Sequence, residues 1–356
     1  MFRLDADHHL GYGHLQRCLS LAEAWRQRGG DAAFTLACAD PPACAMIDAQ
    51  GWPWTLLTPL APYGSEAALW QQDQMDQVDA VLLDIAHQRT FQQLDQIPAY
   101  VAALRKRFAK VILLDGLREH ALAAQRRLEL DLVIMPYPDA DPLYPGSPGR
   151  RLAGPEYSIF PAALMHHVVR PRPVRTTGNR ILVTCGGSDP TRLTLKYLEA
   201  LDTILDRQLD IRVAVAAGFS PDLVQDIATR AAASPHPVEM LTAPKGLGDH
   251  MLWCDLTLAA TGLTKYELAL TGTPSIQCSI NQSHHMVNAS FAAQETAWNL
   301  GVQETLSPTR LAAAVGALLH DSEQRQAMSR KGQSLVDGRG TDRILDEMET
   351  LIRARS

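Results

Sequence analysis

Short apolar runs alternate along the chain with longer amphipathic ones, and the pattern is laid down twice. In the first half FRLDA (2–6), AAFTLA (32–37), AVLLDI (80–85), KVILLD (110–115) and DLVIMP (131–136) read as strands. After residue 179 the series restarts with NRILVTC (179–185), IRVAVAAG (211–218), PVEMLT (237–242), DLTLAA (255–260) and PSIQCSI (274–280). Several runs are apolar on consecutive residues, as strands covered by helices on both faces should be. Helices fall between them: in 15–28, Leu15, Cys18, Leu19, Ala22 and Trp25 form one stripe at helical spacing. This alternation predicts an α/β fold built on parallel sheets. The first strand opens almost at residue 1, and a start codon further upstream would fit that reading.

Between the two series lies MHHVVRPRPVRTTGN (165–179), rich in Pro and Arg and without periodicity, which reads as an interdomain linker rather than core. The expected organisation is therefore a domain over 1–164, a linker over 165–179 and a second domain over 180–356. The last helix could pack back on the first domain. Two α/β halves joined in this way would leave a cleft facing the C-terminal ends of both sheets, the edge at which open α/β sheets bind ligands.

Composition narrows the partners. Hydrophobic residues make up 46% of the 356 positions, charged residues 20%, and the formal charge is −6, which gives no electrostatic reason to expect nucleic acid or an anionic membrane. An anionic small molecule stays open, because backbone amides can hold phosphate without a basic surface. No stretch approaches the ~18 continuous apolar residues of a membrane span, and the N-terminus lacks the basic-then-apolar order of a signal peptide. Cys18, Cys38, Cys44, Cys185, Cys254 and Cys278 are scattered, with no CxxC pair or zinc spacing, and read as buried thiols of a reducing compartment. A cytoplasmic, monomeric protein is the expectation.

Four stretches carry candidate chemistry. GYGH (11–14) places Gly11 and Gly13, both able to take positive φ, just before a helix, with His14 in or near its first turn. There the helix dipole favours the neutral, proton-accepting imidazole, although a glycine turn with a capping histidine is the plainer reading. In TCGGSDPTRLTLKYLEAL (184–201) a strand runs into Gly186-Gly187 and a helix is expected from Pro190 with Asp189 as N-cap. This suits either an anion site or a simple capped loop. In AATGLTKYELALTGTP (259–274), Thr264 and Glu267 have capping-box spacing, which on sequence alone outweighs a carboxylate that binds a ribose diol. CSINQSHHM (278–286) sets Asn281, Gln282, His284 and His285 at a strand end, with no acidic or cysteine partner at metal-ligand spacing.

Taken in order, RLDADHHLGYGHLQRCLSLA (3–22), LAGPEYSIF (152–160), ILVTCGGSDPTRLTLKYLEAL (181–201), TGLTKYELALTGTPSI (261–276), INQ (280–282) and LVDGRGTDRI (335–344) resemble the PseG/SpsG-like family. These are nucleotide-sugar hydrolases of pseudaminic-acid biosynthesis, with lipid II-forming glycosyltransferases as more distant relatives. The resemblance covers nearly the whole chain. It implies a GT-B fold, two Rossmann-like domains facing a central cleft, and hydrolysis of UDP-2,4-diacetamido-2,4,6-trideoxy-β-L-altropyranose to the free sugar and UDP. It makes His14 the base that positions or deprotonates water, and sets Gly11, Tyr12, Gly13, Arg17, Asp84 and His87 around the sugar. Gly186, Gly187, Ser188 and Asp189 would surround the diphosphate, Gly262, Thr264 and Glu267 the ribose side, and Asn281 and Gln282 the phosphate or sugar. No metal or other cofactor is implied. Asp139-Ala140-Asp141 has DxD spacing but reads as a loop.

The chain departs from the family pattern in three places. The aromatic of D-x-Y is missing from Asp84-Ile85-Ala86, Asp115-Gly116 replaces a paired Asp-Asp, and AATGLTKYE replaces a glycine/serine-rich segment. A glycosyltransferase using the same nucleotide site, or a catalytically weak nucleotide-sugar-binding protein, are the alternatives.

Overall fold

The strand pairings of the computed structural model are parallel among the described residues, so neighbouring strands must be joined by crossovers; helices such as Gly13–Gln27, Pro41–Asp48, Leu193–Leu201 and Pro221–Ala233 lie on these paths. The structure describes residues 1–354 except 9, 58–61, 73–77, 86–89, 91, 117–127, 141, 145–148 and 261. Of 70–72, 283 and 287 it describes the backbone only. Two units emerge: Met1–Pro161 with Gly338–Ser356, and Ala162–Asp337.

The first unit contains β1 (Phe2–Ala6), β2 (Phe34–Ala39), β3 (Trp54–Leu56), β4 (Ala80–Asp84), β5 (Lys110–Leu114), β6 (Leu132–Met135) and β7 (Arg150–Ala153), in the order β3-β2-β1-β4-β5-β6-β7. The second contains β8 (Arg180–Thr184), β9 (Asp210–Val215), β10 (Val238–Thr242), β11 (Leu256–Ala260), β12 (Ser275–Ser279) and β13 (Trp298–Val302), in the order β10-β9-β8-β11-β12-β13. In both sheets the strand order reverses once, at β1/β4 and at β8/β11. Loops at such a reversal leave in opposite directions and open a crevice at the C-terminal strand ends.

Leu4, Leu36, Leu82, Ile112 and Ile134 form the core of the first sheet with Leu15, Cys18, Leu19 and Ala22 of the helix Gly13–Gln27. Ile344, Leu345 and Met348 of the last helix, Gly340–Arg353, join the same cluster. Arg28 fastens that helix through Asp342, Asp346 and Glu349 at 3.1, 2.6 and 3.2 Å. In the second unit Ile181, Val183, Ile211, Val213, Leu258 and Ile276 pack with Leu193, Leu198, Leu201, Ile227 and Val315 from the flanking helices. Among the described residues no helix is long and apolar enough to cross a membrane.

The segment 165–179, read from the sequence as a linker, packs within the second unit, and Arg172 is only 4% exposed. Its guanidinium donates to the Thr273 hydroxyl and to the Cys254 carbonyl at 2.7 Å. Arg170 similarly reaches the carbonyls of Gln333 and Val336, at 2.7 and 3.0 Å. A run of Arg and Pro reads as solvated linker, yet guanidinium donors can be buried when carbonyls receive them.

Candidate active site

The C-terminal end of β1 is held by its own polar groups. The Asp7 carbonyl accepts from Gly11 N at 2.7 Å and its carboxylate from Leu10 N at 2.7 Å, while Gly11 takes φ 81°. Tyr12 donates its hydroxyl to Asp40 Oδ2 at 2.9 Å, tying this loop to the one after β2. Burial, then that hydrogen bond, push the hydroxyl up to about 12, so it remains a donor. The helix begins at Gly13, two residues before the apolar stripe, and Gly13 is helical rather than left-handed. His14 therefore occupies the first turn.

Asp84, the last residue of β4, lies directly under that turn. Its Oδ1 is 2.6 Å from His14 Nδ1, and Arg17 grips both carboxylate oxygens through Nε and Nη2. Cys18 Sγ approaches Oδ2 at 3.5 Å. Asp84 is fully buried, Arg17 is 4% exposed and His14 6%. Burial alone would raise the Asp84 carboxyl, but the Arg17 guanidinium, then the His14 ring and the hydrogen bonds from both, hold it well below the ordinary carboxylate range. An ionised carboxylate only accepts, so Nδ1 must carry the ring hydrogen and Nε2 is the acceptor nitrogen of neutral His14. Arg17 Nη2, 3.0 Å from Nδ1, is then a second donor converging on the same carboxylate rather than a partner of the ring. His14, Arg17 and Asp84 are brought together, but the Arg17 fork and the Asp84 side chain are spent on one another beneath the histidine.

The Asp115-Gly116 departure has a steric cause. A Cβ on Gly116 would stand 1.7 Å from Arg17 Nη1, so the guanidinium fills the space a second aspartate would need. Asp115 is buried and accepts from the hydroxyls of Tyr137 and Tyr144 at 2.9 and 3.0 Å. His87, Ala86 (the D-x-Y position) and Asp141 lie outside the described residues.

In the second unit the loop after β8 exposes Gly186 at φ 75° with no atom within 4 Å of where a Cβ would be. The following helix starts at Leu193, three residues later than Pro190, because Arg192 takes a left-handed conformation. Asp189 still caps it: its two carboxylate oxygens accept from Leu193 N at 2.8 Å and Thr194 N at 2.9 Å. With Asp189 1% exposed and committed to these amides, Gly186, Gly187 and Ser188 are the parts of this loop open to a ligand. Thr191 Oγ1 is buried there without a partner.

The capping box after β11 does not form. Thr264 is the first residue of the helix Thr264–Thr271, Leu263 stands at the cap position, and among the described residues no side-chain cap forms at this terminus. Gly262 precedes it at φ 155°. Glu267, part-buried, has no hydrogen-bond or ionic partner among the described residues, and burial pushes its carboxyl up to about 7. After β12, Asn281 caps the helix Gln282–Ala292 by accepting from His284 N at 2.9 Å, Gln282 is exposed, and His285 Nδ1 is buried without a partner. Lys265, adjacent to Thr264 and buried, was not singled out by sequence reasoning, since a lysine on an amphipathic helix ordinarily reads as solvated. Among the described residues no group of three or more His, Cys, Asp or Glu is placed to hold a metal ion.

The two α/β units with these strand orders have the GT-B fold. No family model matches the chain. The spore coat polysaccharide biosynthesis protein SpsG of Bacillus subtilis is 26% identical over 202 residues, covering 56% of this chain and 58% of that relative, under two thirds of its length. MurG of Acinetobacter baumannii superposes with a TM-score of 0.68 at 16% identity, over 98% of this chain and 99% of that one. HepE of Anabaena, solved with UDP-glucose, gives 0.59 at 15% identity over 98% and 99%. At such identities the solved structures establish the fold.

Proposed function

We propose that the chain hydrolyses a UDP-activated diacetamido-trideoxy sugar to the free sugar and UDP, with inversion and without a metal, as in pseudaminic-acid-type nonulosonate biosynthesis. The observation that carries this reading is the His14–Asp84 pair. Asp84 orients the imidazole through Nδ1 and leaves Nε2 as the nitrogen that can accept a proton, the arrangement required of a general base. In the reaction a water oxygen bonds to the anomeric carbon as its proton passes to Nε2. The C–O bond to the diphosphate breaks with its electron pair on UDP. UDP is an acidic leaving group and needs no strong general acid. Amides at Gly186 and Gly187, the Ser188 hydroxyl and the N-terminus of Gln282–Ala292 supply the donors such a diphosphate needs. The unpartnered Glu267 carboxylate suits a ribose diol, and Asn281 and Gln282 suit the phosphate or sugar.

Support comes also from the likeness to SpsG and from a fold shared with a protein that binds UDP-glucose. A glycosyltransferase would use the same base on an acceptor hydroxyl. The test supplies pure protein with several UDP-diacetamido sugars in EDTA and follows UDP release with and without acceptor alcohols. Release without acceptor supports the hydrolase, and release only with acceptor replaces it by the transferase. UDP binding with no turnover of any donor would leave a nucleotide-sugar-binding protein.

A further inference from the structure

Lys265 is 4% exposed at the second position of the helix Thr264–Thr271, and among the described residues it has no acidic partner. Its Nζ donates to Asn288 Oδ1 at 3.1 Å and lies 5.0 Å from the Tyr266 ring centre and 6.0 Å from that of Phe291. Asn288 donates in turn to Ser279 Oγ at 2.8 Å. Ser279 ends β12, two residues before the Asn281 cap. Two hydrogen bonds thus connect a buried amine to the strand end where the candidate diphosphate site begins. Desolvation draws the amine down to about 7. Retaining a desolvated cation with a single polar contact costs stability that an apolar residue would not.

Among the described residues, no ionisable group on the surrounding elements pairs with the amine. On its own helix, Glu267 forms no ion pair with it. On Gly248–Trp253, Asp249 pairs with His167, and His250 faces Arg212. On Ser322–Leu335, Arg325 is turned to Asp255 and the Arg175 carbonyl, Lys331 pairs with Glu295, and neither Glu323 nor Arg330 bonds to Lys265. His284 and His285 stand at the start of Gln282–Ala292 and carry no negative charge. Cys278 of β12 donates to the Gly301 carbonyl. Among the described residues, then, no counter-charge is paired with the amine, and a bound anion could supply one.

We infer that Lys265 is the charge partner of a bound nucleoside diphosphate, taking up a proton as the anion settles at the C-terminal ends of β11 and β12. The inference rests on the UDP reading above. By linkage, a proton held tenfold more tightly in the complex means that the protonated protein holds the diphosphate about tenfold more tightly.

The test is titration calorimetry with UDP and with uridine, at about pH 8 where the amine is largely neutral, in buffers of differing ionisation enthalpy. Wild type should take up about 0.4 of a proton with UDP and none with uridine, which lacks the phosphates. Lys265→Met should abolish the uptake, weaken UDP about twofold at this pH and about tenfold near pH 6, leave uridine unchanged, and raise the thermal midpoint. Stability and affinity moving in opposite directions distinguishes this from a packing role. Lys265→Gln, which can still bond to Asn288, should also lose the uptake. Undiminished UDP affinity in Lys265→Met, equal weakening of UDP and uridine, or a midpoint that falls with affinity would overturn the inference while leaving the UDP site intact. Failure of wild type to bind UDP would overturn both.

Discussion

His14 Nδ1 stands 2.6 Å from Asp84 Oδ1, although the two residues are 70 positions apart. The histidine follows β1 and the aspartate ends β4, so the strand reversal brings them together. The carboxylate fixes the ring tautomer and also holds Arg17. Asp84→Asn removes the obligate acceptor and leaves a buried guanidinium without its counter-charge. Turnover should fall at least about a hundredfold with little change in UDP affinity, and stability by about 3 kcal/mol. Steady-state kinetics, UDP titration and urea unfolding measure these. Because the Asp84 carboxyl is depressed in the folded state, its stabilisation is complete above about pH 4 and is lost as acid drives the pH below the ordinary carboxylate range. Asp84→Asn should flatten that acid limb.

Gly116→Ala tests the Arg17 fork without touching a charged group. The added methyl meets Nη1 and must displace the guanidinium from Asp84. Stability should drop by about 1–3 kcal/mol and turnover should fall with it. An unchanged enzyme would mean that the fork is dispensable.

Glu267→Gln separates ligand binding from helix capping. A carboxyl with an ordinary value near 4.5 that ionises only near 7 when folded holds its proton more tightly in the native state. The associated stability is full below about pH 4.5 and disappears as the pH rises through about 7. Glu267→Gln should therefore lose that slope and be no less stable at pH 8 or so, while UDP binds more weakly. Reduced stability with unchanged UDP affinity would restore the capping reading.

Asn281→Asp keeps a good N-cap and exchanges an amide for a negative charge. Thermal stability should change by less than about 1 kcal/mol. UDP affinity should fall by at least tenfold or so if a diphosphate sits there. Uridine binding serves as the control.

Ten of the strands were legible from their apolar runs, most of them buried, although β10 is a part-exposed edge strand. Those passed over, β3, β7 and β13, all lie at sheet edges. Arg150 and Arg151 of β7 and Thr55 and Leu56 of β3 are exposed, so neither strand carries an apolar run to mark it. Within the site, glycine loops and strand ends could be found from short-range pattern. What could not were pairings across the sheet: Asp84 under His14, Arg17 over Gly116, and Asn288 reaching Lys265. The capping box failed for a local reason, since the spacing of Thr264 and Glu267 says nothing about which residue begins the helix.

Whether His14 activates water against a UDP-sugar is decided by comparing wild type with His14→Ala. UDP release from the preferred diacetamido donor is followed without acceptor, in EDTA, for wild type and His14→Ala, with UDP binding measured on both. Release by wild type, a loss of at least about a thousandfold in His14→Ala and equal UDP affinity are the expected results. Undiminished release by His14→Ala, or a wild type that leaves every donor intact until an acceptor alcohol is added, would contradict it.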